Sequence, residues 1–133
     1  MTQEVTFTLR PADARTFSGS AFSGLMAGAE REVPVKLYYV RFEPGARTNW
    51  HSHSGDQVLV VCAGRCRYQI AGEPVREIGA GESVRFTAGV RHWHGATADE
   101  GTEHIAINLD CRETNWHERV SEEDYRGTIP EID

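Results

Sequence analysis

No apolar run in this sequence of 133 residues extends beyond Val58–Ala63, far short of the ~20 residues needed to cross a bilayer as a helix. Lysine is nearly absent: Lys36 stands alone beside thirteen arginines, and the net charge is −6. A protein that grips phosphates carries a basic excess on some face. Here the arginines alternate with acids, and the section 113–133 is acid-rich, so neither a nucleic acid nor a membrane is an expected partner. Cysteine is scarce. Cys62, Cys66 and Cys111 make an odd number without zinc-type spacing, which argues for a reducing compartment. Cys62 and Cys66 flank a turn expected at Gly64, and buried free thiols are expected there. Residues Met1–Arg10 carry Glu4 early and lack the apolar stretch of a secretory leader, so the sequence predicts a cytoplasmic protein. Helical periodicity is missing almost throughout. Only Ser121–Arg126 reads as a short helical turn, with Ser121 as N-cap and acids in its first turn.

What is present is a series of short strand-like runs punctuated by turn residues. Residues 4–9 alternate and read as a first strand; 11–28 break the pattern and read as loop, with a helical turn near Leu25. Residues 35–42, rich in β-branched and aromatic side chains, predict a strand. Further strands are expected at about 47–53, 57–63, 66–70, 74–78, 82–86, 91–97 and 102–109, separated by glycine-marked turns. The fold class that follows is all-β, a sandwich or barrel, as a single domain over 1–133.

The chemistry concentrates in the histidines. Five of six (His51, His53, His92, His94 and His104) lie in the middle of the chain beside apolar strand sequence. His51 and His53 are two apart, so on a strand they share a face. Ser54, Gly55 and Asp56 are turn formers, and the chain is expected to reverse there, bringing Gln57 back on the second strand of a hairpin. Two imidazoles and an amide oxygen converging in this way resemble most of a metal site. His92 and His94 repeat the same spacing. On 102–109, His104, Ala106 and Asn108 share one face while Ile105, Ile107 and Leu109 share the other.

Two motifs carry a resemblance. Gly45, His51, His53, Gln57 and Gly64 follow the pattern G-x5-H-x-H-x3/4-E-x6-G, with Gln at the Glu position. Gly81, Gly89 and His92 follow G-x5-P-x-G-x2-H-x3-N, with Thr87 at the proline and Ala96 at the asparagine. The chain resembles a cupin over roughly 33–110. The stretches Trp50–His53, His92–Thr97 and His104–Ile107 are similar to small bacterial cupins, some of them manganese-dependent hydroxynitrile lyases. The resemblance implies a jelly-roll or conical β-barrel with one divalent transition metal inside, held by His51, His53, Gln57 and His92. Manganese is the first candidate; iron, zinc, nickel and cobalt suit the same donors. The face of His104 would point into the barrel, making His104 the candidate general acid or base, against the alternative of a core histidine bonded to backbone. Tyr38, Val40, Phe42, His94 and Asn108 would line the substrate pocket.

Gln57 bears on the reaction. Three histidines and a neutral amide leave a divalent ion near +2, whereas a glutamate would lower it to +1. A more positive centre polarises a substrate oxygen more strongly and resists oxidation of the metal. The sequence therefore predicts Lewis-acid, lyase-type chemistry on a small molecule, with a metal-dependent dioxygenase or a non-catalytic binder as alternatives. A homodimer is expected from the apolar strand surface of Ile105, Ile107, Leu109 and Val58–Ala63.

Overall fold

The computed structural model describes residues 7–28 and 34–127. Twelve strands and one short helix follow in order: β1 Arg10–Pro11, β2 Phe17–Ser18, β3 Ala21–Ala27, β4 Val35–Phe42, β5 Arg47–Thr48, β6 His51–His53, β7 Asp56–Ile70, β8 Arg76–Gly79, β9 Ser83–Phe86, β10 His92–Ala96, β11 Thr102–Leu109, β12 Thr114–Trp116 and α1 Glu122–Arg126. Every pairing is antiparallel, and the path β1-β3-β4-β11-β7-β10-β5-β2 curls into the expected barrel. Among the described residues no helix is long and apolar enough to cross a membrane.

The barrel is organised by β7. Its first half pairs with β11 and β9, its second half with β10 and β8, so one strand belongs to both walls. The turn expected at Gly64 is therefore absent. The ladder with β11 slips at Glu103/His104, where Glu103 faces Ala63 and His104 faces Val61, and this bulge bends the strand. Gly64 sits just beyond it at φ 70°, and a Cβ there would come within 1.9 Å of the Gly101 carbonyl oxygen. Only glycine tolerates both the angle and the approach. Because the strand runs on, Cys62 and Cys66 do not flank a turn: Cys66 is buried, Cys62 is exposed and both are free.

Period-two alternation decides what enters the barrel. Tyr38, Val40 and Phe42 on β4, Leu59 and Val61 on β7, and Ala106 on β11 belong to the inner clusters. Full burial of Leu59 and Val61 contributes about 1.5–3 kcal/mol each. A third cluster of Trp50, Val75, Trp93, Val120 and Tyr125 closes the end under α1. Ser121 caps that helix by accepting from the Asp124 amide at 3.0 Å, as its sequence implied. Arg67 donates to the Tyr125 and Arg126 carbonyls and to Glu77, so the C-terminal segment is tied to β7.

Two expectations fail at the N-terminal side. Residues 4–6 lie outside the described residues, and 7–9 form no strand; the first pairing starts at Arg10. The loop expected over 11–28 instead holds β2 and β3, with no helical turn at Leu25. Serines and Gly24 dilute the β signal there, but β3 is one strand in from the sheet edge, paired with β1 on one side and β4 on the other. Sheet context outweighs propensity at such a position.

Candidate metal centre

His51 and His53 sit on β6, which pairs with β10 and β12. No ladder joins β6 to β7, so the hairpin expected at Ser54–Asp56 does not form and Gln57 arrives by a different route. It lies on β7 opposite Asn108 of β11. The convergence survives because β6 and β7 face each other across the barrel interior. One ring nitrogen from each of His51, His53 and His92 lies within 4.8 Å of the others.

The other ring nitrogens explain which atoms face inward. His51 Nδ1–H donates to the Asn49 carbonyl at 2.8 Å and His92 Nδ1–H to the Val90 carbonyl at 2.9 Å. His53 Nδ1 is 2.9 Å from the Thr114 hydroxyl, which accepts in the same tautomer. Each neutral imidazole carries one proton, so Nε2 is left bare at His51 and His92, and at His53 as well when the Thr114 hydroxyl accepts. Burial holds the His51 ring well below its ordinary pKa, lowers His53, and takes His92 down to about 4; the neighbouring rings add to this at His51 and His92. All three are uncharged near neutral pH and able to ligate a cation.

A divalent cation fits this arrangement. His53 Nε2 is buried with no hydrogen-bond partner. His92 Nε2 lies 3.2 Å from Gln57 Oε1, and since both are acceptors, no proton stands between them. Such atoms are costly when buried and suited to sharing a metal. Three imidazoles and an amide oxygen accept several first-row ions.

Beside these residues opens a cavity of about 240 Å³ lined by Tyr38, Val40, His94 and Asn108, as expected, together with His51, His53 and Gln57. Two expectations change. Phe42 does not line it: this ring is buried behind the wall, 5.6 Å from His104 and 5.8 Å from His94. His104 does not reach it either. Its ring is fully buried, with Nε2 3.2 Å from His94 Nδ1, so His94 presents the cavity-facing ring and His104 supports it. Burial takes His104 down to about 3, and burial with His104 beside it holds His94 well below its ordinary value.

Phe17, Ser23, Thr48, Thr114 and Trp116 line the cavity without having been expected there from the sequence. β12 pairs with β6 so that Thr114 falls opposite His53 and Trp116 opposite His51. Trp116 packs against the His51 ring at 4.6 Å, tilted by 32°, and lies 6.2 Å from Phe17. The resemblance to small bacterial cupins does continue through Trp116 and Val120 to Tyr125, but it assigns Trp116 no place in the pocket.

The comparisons with known proteins place the family and the fold. A (R)-mandelonitrile lyase from Granulicella tundricola is 46% identical over 89 residues, covering 65% of this chain and 68% of that protein. A cupin-like protein from Thermotoga maritima superposes with a TM-score of 0.87 at 36% identity, covering 93% of this chain and 96% of its own. DMSP lyase from Ruegeria pomeroyi shares the fold, with a TM-score of 0.60 at 18% identity, covering 79% of this chain and 56% of its own. The family model described as the cupin domain matches residues 38–108, and the chain belongs to the cupin family.

Proposed function

We propose that this cupin is a metal-dependent lyase of the hydroxynitrile lyase type, splitting an α-hydroxynitrile into a carbonyl compound and hydrogen cyanide. The observation that carries the reading is one small cavity that brings the ring of His94 beside His51, His53 and Gln57, with His92 close enough to the two histidines to share an ion with them. The Granulicella relative, a (R)-mandelonitrile lyase, supports it. A divalent ion held by His51, His53, Gln57 and His92, with manganese as first candidate, supplies Lewis acidity toward a substrate oxygen. Gln57, neutral where a glutamate would be charged, leaves that polarising power undiminished.

The chain's own residues do the rest. His94, with Nδ1 on His104, offers Nε2 to the cavity and takes the substrate's hydroxyl proton. The bond between the carbinol carbon and the nitrile carbon breaks, its electron pair leaves with cyanide, and the C–O bond becomes a carbonyl. His94 then returns the proton to cyanide. Nothing is oxidised or reduced, so no oxygen is required. Tyr38, Phe17 and Trp116 give the cavity aromatic walls suited to an aryl substituent.

The test is release of benzaldehyde from (R)-mandelonitrile under nitrogen and in air, with and without a chelator. The expected result is equal turnover in both atmospheres, lost on chelation and restored by Mn²⁺. Turnover that needs and consumes oxygen would replace this reading with a dioxygenase; no turnover of any hydroxynitrile would leave a ligand-binding protein.

A further inference from the structure

A glutamine side chain has two ends of nearly the same shape and opposite chemistry: the oxygen binds a cation, the NH₂ group cannot. At Gln57 the structure shows which way round the amide sits and what holds it. Gln57 Nε2 donates to Asn108 Oδ1 at 2.9 Å, and Oε1 is turned to His92 Nε2 at 3.2 Å. The pair is built into the sheet, for Gln57 and Asn108 are register partners on β7 and β11. Both side chains are buried, at 4% and 9% exposure.

The reverse orientation would be comfortable without a metal. His92 Nε2 is bare because Nδ1–H is committed to the Val90 carbonyl, so a flipped Gln57 would donate its NH₂ to that nitrogen and satisfy both groups. The amide thus has two alternatives, one closed on His92 and one with its oxygen in the metal position. We infer that Asn108 is a positioning residue whose carbonyl oxygen holds the Gln57 NH₂ group away from His92, and so keeps Gln57 an oxygen donor to the metal. This rests on the metal reading above. It makes Asn108 part of what allows a glutamine, in place of the charged glutamate, to serve in the ligand set. A carboxylate would not need such a partner, because both of its ends are oxygen.

That difference gives the test. Mn²⁺ is titrated into metal-free protein, and free ion is followed by its paramagnetic resonance signal, for wild type, Asn108→Leu, Asn108→Ala and Asn108→Asp. Each substitution is made both with Gln57 and with Gln57→Glu. With Gln57 in place, loss of the acceptor in Asn108→Leu and Asn108→Ala should weaken Mn²⁺ binding about 10–100-fold, the usual scale for a group that orients a ligand. Asn108→Asp keeps an acceptor opposite the NH₂ group and should retain wild-type affinity. With Gln57→Glu the order should invert: Asn108→Leu and Asn108→Ala cost little, and Asn108→Asp weakens binding because two carboxylates face each other. Melting temperatures of the metal-free variants report whether each folds. An equal loss for Asn108→Leu in both backgrounds would make Asn108 a packing residue and overturn the inference while leaving the metal site standing. Wild-type protein that binds no Mn²⁺ would overturn both.

Discussion

His104 Nε2 lies 3.2 Å from His94 Nδ1, yet only His94 borders the cavity. The contact fixes the orientation of the His94 ring, and Phe42 packs against both rings, 5.6 Å from His104 and 5.8 Å from His94. The two residues should therefore respond differently to removal. His94→Ala is expected to lower kcat on (R)-mandelonitrile ~10²–10⁴-fold, the range for a lost acid–base group. His104→Leu should lower kcat less and leave KM nearly unchanged. Steady-state kinetics of both variants check this; a His94→Ala enzyme with wild-type kcat would contradict it.

His104 also makes stability depend on pH. Burial takes its folded pKa to about 3, against 6.5 for the free side chain. Between these values the unfolded chain binds a proton that the folded chain refuses. The stability contribution is therefore whole above pH 6.5 and falls as the medium is acidified, by about 1.4 kcal/mol per pH unit from this residue. Denaturant unfolding of the metal-free protein at pH 7.5 and at a series of values below 6.5 should show a shallower loss for His104→Leu than for wild type. Parallel curves would contradict it.

Trp116, 41% exposed, packs against His51 at the cavity wall. An aryl group in the cavity would lie against this ring and Phe17. Trp116→Ala is expected to raise KM for mandelonitrile about 2–10-fold, the worth of one aromatic contact, and to change KM for an aliphatic hydroxynitrile less. Equal changes for both substrates would remove Trp116 from recognition of the substrate.

The outer face of the sheet carries Leu37 and Tyr39 on β4, Ile105 and Ile107 on β11, and Val58 and Val60 on β7, all only partly buried and paired side by side. We propose that a second copy of the chain covers this face. Light scattering at micromolar protein is expected to give a dimer mass, and Ile107→Glu to give monomers. A monomeric wild type would end the proposal.

Much of this architecture was legible because its signals are local. Val35–Phe42 and Thr102–Leu109 alternate strongly enough to fix both strands to the residue, and Ser121 announces its helix through the bonds it can make. The histidine pairs were legible for the same reason, since a spacing of two means one face. What escaped depends on contacts between distant segments. Gln57 reaches the histidines across the barrel, which no turn signal at Ser54–Asp56 encodes. Thr114 and Trp116 enter the site because β12 pairs with β6, sixty residues earlier in the chain by the Thr114–His53 separation of 61. The seating of His104 behind His94 follows from the bulge at Glu103/His104 and the packing of Phe42, neither of which leaves a mark in the local sequence.

Everything proposed for this site depends on His51, His53 and His92, with Gln57, holding one divalent ion. Metal analysis of wild-type protein and His53→Ala, both purified without added metal and paired with melting curves, tests it most directly. His53 Nε2 is a buried nitrogen without a hydrogen-bond partner, so its removal takes away a candidate ligand at the cost of the contact between Nδ1 and the Thr114 hydroxyl. Close to one transition-metal ion per wild-type chain is expected, little in His53→Ala, and a lower melting temperature for the variant that added chelator does not depress further. A full complement of metal in His53→Ala, or wild-type protein that melts at the same temperature with and without chelator, would contradict it.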